Sequence, residues 1–141
     1  MAQPQREVIV LNGDGCMLMS LGCLVTIGAS GVSNLSLFVI NNGIYEVTGG
    51  QATAARKKAD FAQMATAAGF PSVACFDELD DWRARATETL ALPGPRFIVL
   101  KVAPVGPDYL LEVPGPISER IERFRAALKS PATPKHRTGP R

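Results

Sequence analysis

Gly13-Asp14-Gly15 sets one acid between two glycines, and 25 residues separate it from Asn41-Asn42. A glycine-flanked turn lets backbone come close to an anion. The first free N–H groups of a following helix then point at that anion. The Asp14 carboxylate would repel a bare phosphate. The combination makes sense when a cation lies between them, and a carboxylate oxygen suits Mg2+ or Ca2+. Asn42 can add a side-chain amide oxygen, and the loop behind it a backbone carbonyl. Taken alone, Gly-Asp-Gly is only a tight turn; the second half of the pattern gives it a chemical reading. A dinucleotide fingerprint would need a third glycine where Leu18 stands. A Walker A pattern is absent from the chain.

The elements around these residues follow from pattern. Glu7–Asn12 reads as a buried strand, short, apolar and β-branched, closed by Gly13-Asp14-Gly15. Cys16–Ala29 reads as one helix with two apolar stripes, Met17/Leu21/Leu24/Gly28 and Leu18/Val25, so it is expected to be buried on more than one side. Leu35–Ile40 reads as a second buried strand. Strand, glycine turn, helix and strand make the crossover unit of a parallel sheet, and both halves of the motif fall at strand carboxyl ends.

Downstream, Ala52–Ala68 is predicted as a helix. Arg56, Lys57, Lys58, Asp60 and Gln63 form its wet face and Phe61, Met64, Ala65 and Ala68 its buried face. Gly69 and Pro71 end it. Ser72–Phe76 is a strand. Asp77 is the expected N-cap of a helix running to Leu90, with Trp82 half-buried. Pro93-Gly94-Pro95 is a turn, Arg96–Val102 a third apolar strand, and 104–116 a proline-rich crossing. Ser118 is the expected cap of a final helix striped by Ile117, Ile121, Phe124 and Leu128. The fold class is α/β, a mainly parallel sheet flanked by helices. Residues 1–128 are expected to form one domain, and 129–141 a basic, proline-rich, disordered tail.

Composition narrows the function classes. The chain has 141 residues, 46% hydrophobic and 20% charged, enough for one real core and incompatible with wholesale disorder. Net charge is +2, but Lys129, Lys135, Arg137 and Arg141 sit in the tail without an acid, leaving eleven bases against thirteen acids in the body. A nucleic-acid surface is not expected, since the tail is short and aromatics are few and scattered. From Gly15 to Tyr45 run 31 residues without a charge. Turn residues interrupt that run at 30–34 and 41–43, so it is too broken for a membrane span, and it lacks the basic flank of a signal peptide. No repeat of 20–50 residues is visible. Cys16, Cys23 and Cys75 are odd in number and lack metal-ligand spacing, which argues for a reduced, cytoplasmic chain without zinc.

Gly13-Asp14-Gly15…Asn41-Asn42 resembles the cofactor signature of thiamine diphosphate enzymes. Gly13–Met19 together with Asn42–Gln51 is similar to their phosphonopyruvate and sulfopyruvate decarboxylase branch. The resemblance covers about residues 7–128. It implies that Asp14 and the Asn42 side chain bind Mg2+, with the Ile44 carbonyl completing the protein ligands. It implies that Gly13 belongs to the cofactor turn, that the N–H groups of Gly15 and Cys16 meet the diphosphate, and that Tyr45–Gln51 forms a loop over the cofactor. Cys16 stands where relatives often have serine. The activity implied is decarboxylation of a 2-oxo acid with a phosphonate or sulfonate end. In this family the glutamate that activates the aminopyrimidine belongs to a separate pyrimidine-binding domain, so no residue here takes that role. Glu46 lies on the diphosphate side. Only six residues precede the first strand, whereas related domains carry a further helix and glycine loop upstream. The chain is therefore expected to be N-terminally shortened. It would join a pyrimidine-binding domain or subunit in a homo- or hetero-oligomer; the alternative is a non-catalytic or degenerate cofactor-binding domain that acts only in assembly.

Other reactive types have plain readings. His136 lies in the tail, where no geometry is held. Cys23 and Cys75 are expected in the core. Cys16, at a helix start, is the candidate for a reactive thiol. Arg56-Lys57-Lys58 is expected to be a solvated helix face, with contact to an anionic substrate as the competing reading.

Overall fold

The structure, a computed structural model, describes residues 3–56, 58–106 and 115–130. In chain order the elements are β1 (Val8–Gly13), α1 (Asp14–Met19), α2 (Gly22–Ala29), β2 (Leu35–Asn41), β3 (Ile44–Tyr45), β4 (Gln51–Ala52), α3 (Phe61–Ala67), β5 (Ser72–Phe76), α4 (Leu79–Ala91), β6 (Arg96–Lys101) and α5 (Ile117–Lys129). Four of these strands form a parallel sheet in the order β1-β2-β6-β5. The short β3 and β4 pair antiparallel in a separate hairpin.

Side chains alternate across a strand, so each inner strand feeds two cores. Leu37, Val39, Phe97 and Val99 pack with Met17, Leu24, Phe61, Ala65 and Phe70. Phe38, Ile98 and Phe76 pack on the other side with Trp82 and Leu90 of α4. Trp82 meets Phe38 and Phe76 edge-on, with ring centroids 5.8 and 5.2 Å apart. Phe97 and Ile98 are completely buried, and each contributes roughly 1.5–3 kcal/mol through burial.

The expected crossover and α/β class are present, with local differences. The helix expected over 16–29 is two helices, interrupted at Ser20-Leu21. Its first stripe is buried at Met17 and Leu24, but Val25 of the second stripe is 62% exposed, so the segment covers the sheet with one side only. β1 is not the buried strand that its composition suggests. It ends the row of strands, and Ile9 and Leu11 are 56% and 71% exposed.

The helix expected over 52–68 is shorter. Residues 51–52 belong to the hairpin, Ala54–Arg56 is one 3-10 turn, and α3 begins at Phe61. Asp60 caps α3, its carboxylate accepting the Gln63 N–H at 3.0 Å. The expected stop is present. Gly69 has φ +91°, the Phe70 N–H donates to the Ala65 carbonyl, and the Gly69 N–H donates to that of Thr66. This double bond pattern needs a left-handed residue after the helix, which glycine adopts without strain. Glu78 rather than Asp77 occupies the N-cap of α4, and Pro116 rather than Ser118 that of α5. The contacts divide the chain into residues 1–105 and 106–141. In the second unit α5 carries Ile117, Ile121 and Phe124 as an exposed apolar stripe. The basic tail beyond 130 and most of the proline-rich crossing lie outside the described residues.

Gly28 joins α2 to α3. A Cβ there would stand 2.0 Å from the Ala68 carbonyl oxygen. Gly28→Ala must therefore push two backbones apart. Overpacking of this kind costs about 1–3 kcal/mol. A urea titration is expected to show that loss of stability; an unchanged midpoint would contradict the close approach.

Candidate functional site

Sequence and topology bring Asp14 and Asn42 together. β1 ends at Gly13 and α1 starts at Asp14, while β2 ends at Asn41, in register beside it. Gly13, Asp14, Gly15, Cys16, Asn42, Ile44 and Tyr45 all line one cavity of about 330 Å3, with Met19, Glu46 and Val47 on its rim. The side chain of Tyr45 lies against Gly15, where a Cβ would stand 2.5 Å from the ring. Glycine at 15 is what lets the hairpin close over the turn. Cys16 is exposed, at the first turn of α1.

Asp14 is 2% exposed. Its Oδ2 accepts the Thr53 hydroxyl at 2.8 Å, and among the described residues no Lys or Arg forms an ion pair with it. A carboxylate taken out of water without a cation is costly. Among the described residues Oδ1 has no hydrogen bond, yet no buried side-chain oxygen or nitrogen there lacks a partner, so Oδ1 keeps an opening. Asn42 is oriented on both sides. Its Nδ2 donates to Glu46 Oε2 at 2.8 Å, and its Oδ1 accepts the Ile44 N–H at 3.1 Å. An amide oxygen has two lone pairs, so one remains. One carboxylate oxygen, one amide oxygen and a carbonyl on the hairpin are hard donors of the kind Mg2+ takes. The donor set fits a divalent cation flanked by the N–H groups that open α1. No group of three or more His, Cys, Asp or Glu side chains among the described residues could hold a metal without such oxygens.

Thr53 escaped the sequence reading, and so did the bracing contacts of Glu46. Thr53 lay hidden inside the predicted helix 52–68, yet it holds Asp14. Glu46, beside the motif, does not face outward as a free acid. Its Oε2 binds Asn42 and its Oε1 accepts the Val105 N–H at 2.5 Å. No sequence signal separates such a brace from a reactive acid. Away from the cavity, Cys75 is exposed, and its thiol is pushed up from its ordinary value mainly by partial burial, with Lys101 opposing.

The sequence and the fold have counterparts. Residues 1–100 match the family described as "Thiamine pyrophosphate enzyme, C-terminal TPP binding domain", and the chain belongs to that family. It is 37% identical over 138 residues to a phosphonopyruvate decarboxylase of Streptomyces viridochromogenes, covering 95% of this chain and 34% of that protein. It is 37% identical over 120 residues to the sulfopyruvate decarboxylase subunit beta of Methanothermobacter thermautotrophicus, covering 85% of this chain and 61% of that one. The chain thus spans between about a third and three fifths of these relatives. The solved transketolase of Campylobacter jejuni shares the fold, with a TM-score of 0.56 at 17% identity, over 71% of this chain and 17% of that one. Among the described residues no helix is long and apolar enough to cross a membrane.

Proposed function

We propose that the chain holds the Mg2+ and diphosphate of thiamine diphosphate within a decarboxylase of 2-oxo acids that end in a phosphonate or sulfonate. Asp14, the Asn42 side chain and the Ile44 carbonyl would bind the metal, and the N–H groups of Gly15 and Cys16 the diphosphate. The observation that carries this reading is Asp14, a carboxyl nearly buried and, among the described residues, without an ion-pair partner. The relatives' names support the reaction and the substrate class.

When bound, the cofactor supplies the carbanion and the electron sink that the loss of CO2 requires. The chain's own part is binding and orientation. Thr53 and Glu46 fix the two metal-facing side chains before the ion arrives, so little ordering remains when it binds. Tyr45 and the hairpin wall one side of the cavity. An activating acid for the aminopyrimidine would come from a pyrimidine-binding domain or subunit, which makes the active form an assembly. The names of the beta-subunit relatives support that arrangement.

The test is turnover by this chain together with its pyrimidine-binding partner, with Mg2+ and thiamine diphosphate present. Phosphonopyruvate or sulfopyruvate should be decarboxylated at least about tenfold more efficiently than pyruvate, the ratio expected when a buried charged contact is lost with the shorter acid. Equal or better turnover of pyruvate would defeat the substrate class.

A further inference from the structure

A second cavity, of about 500 Å3, lies beside the first and shares Asn42 as a wall. It opens at the carboxyl ends of β2 and β6, under the turn that leads into α3. Arg56, Lys58 and Lys101 line it, with the amides of Asn41 and Asn42. The first two come from that turn and the third from the end of a strand 43 residues away from Lys58. This differs from the α-helical face expected for 56–58, because Arg56 ends a 3-10 turn and Lys58 precedes α3, which begins at Phe61.

The charges converge without being neutralised. Neither Arg56 nor Lys58 forms an ion pair among the described residues, and Lys101 has only a 4.0 Å contact with the exposed Asp77. Asp60 is the one acid on the wall, and both of its oxygens are engaged by Gln63, at its N–H and its Nε2, each at 3.0 Å. Its carboxylate is turned to the start of α3, and three cations against this one acid leave the wall net positive. The stem of Arg56 also packs on Gly43, where a Cβ would stand 3.0 Å from its Cγ. The guanidinium is thereby held beside the loop that carries Asn42 and Ile44. Three cations, two amides and a concave wall are the chemistry that receives a tetrahedral oxyanion.

We propose that this cavity is an oxyanion site for a phosphonate, sulfonate or phosphate group, with Arg56 and Lys101 as principal contacts and Lys58 as the third charge. Two sources share that chemistry: a free inorganic oxyanion, or the anionic end of a small organic acid. The second source deepens the reading above and rests on it, because it makes the cavity the seat of the substrate's distal group. The oxyanion site itself does not depend on that reading.

The test is an amide-resolved NMR titration of the full chain with two probes, inorganic phosphate and phosphonoacetate. Both are expected to give saturable shifts at Asn42, Gly43, Lys101 and Val102. In the double variant Arg56→Gln/Lys101→Gln, affinity should fall by at least about tenfold, since a hydrogen bond to a charged group is lost at each position. Both side chains are exposed, so the spectrum elsewhere should be unchanged. Phosphonoacetate binding more tightly than phosphate would assign the site to an organic acid, and equal affinities to a free anion. Absence of saturable shifts with both probes, or equal affinity in the double variant, would overturn the proposal. Mg2+-dependent binding of thiamine diphosphate, measured on the same double variant, should be retained. Its failure in the parent chain would count against the cofactor reading alone.

Discussion

Replacing Asp14 by asparagine is expected to remove Mg2+-dependent binding of thiamine diphosphate and to stabilise the metal-free protein. The two effects have one cause. The carboxylate is nearly buried and has a hydroxyl but no cation for company. Asparagine keeps an oxygen for Thr53 and drops the charge, so the uncompensated desolvation disappears. A gain of about 1 kcal/mol in the unliganded chain is expected, at the low end of what burying an unpaired polar group costs. The parent protein should gain on adding Mg2+ and cofactor together, by an amount that grows with ligand concentration, whereas the variant should not. Calorimetric titration, with and without the pyrimidine-binding partner, reads the binding. Thermal unfolding without metal reads the stability. Cofactor affinity in Asp14→Asn within a few-fold of the parent would sink the metal assignment. A less stable metal-free variant would show that Asp14 serves the fold instead.

The second large effect lies at the opposite end of the sheet. Arg96 is 5% exposed, at the amino end of β6. Its guanidinium donates to Glu7, to Ser36 Oγ at 2.8 Å and to the Leu92 carbonyl at 2.7 Å. One side chain thus ties β1, β2 and the turn before β6. Arg96→Met is expected to cost about 2 kcal/mol, because it removes a buried charged donor from the Leu92 carbonyl, Ser36 and the partly exposed Glu7. Urea unfolding should show a lower midpoint at unchanged slope. Adding Glu7→Gln to the arginine variant should cost much less than it does in the parent, since the two residues act as one unit. A loss below about 1 kcal/mol for Arg96→Met would place it among ordinary surface substitutions. Cofactor binding should persist, because the proposed metal ligands stand at the carboxyl ends of the strands.

This polar rung was invisible in the sequence. Glu7, Ser36 and Arg96 each open an apolar run, and nothing local joins them; only the sheet register does. The meeting of Asp14 and Asn42 at one cavity was legible for the converse reason. A glycine-flanked acid and an asparagine pair punctuate strand ends, and parallel order makes adjacent strand ends meet. The inner strands were legible because their runs are apolar and short. β1 has the same composition, and composition cannot distinguish a strand flanked on both sides from one flanked on one. The helix over 52–68 failed because alanine-rich sequence favours helix locally, while the Gly49-Gly50 turn, with φ of +124° and +75°, returns the chain as a hairpin. That error hid Thr53 and made Arg56 and Lys58 look like a wet helical face.

The placement of β1 at the end of the row has a consequence for what the chain can join. An outermost strand presents unpaired backbone donors and acceptors along one side, and here Val8, Ile9, Val10 and Leu11 add apolar side chains of 36 to 71% exposure. Neither a proline nor a lysine interrupts Val8–Gly13, and such residues are the usual guards of a strand of this kind. Among the described residues that border is where a further strand, from a neighbouring chain or a second copy, can add to the sheet.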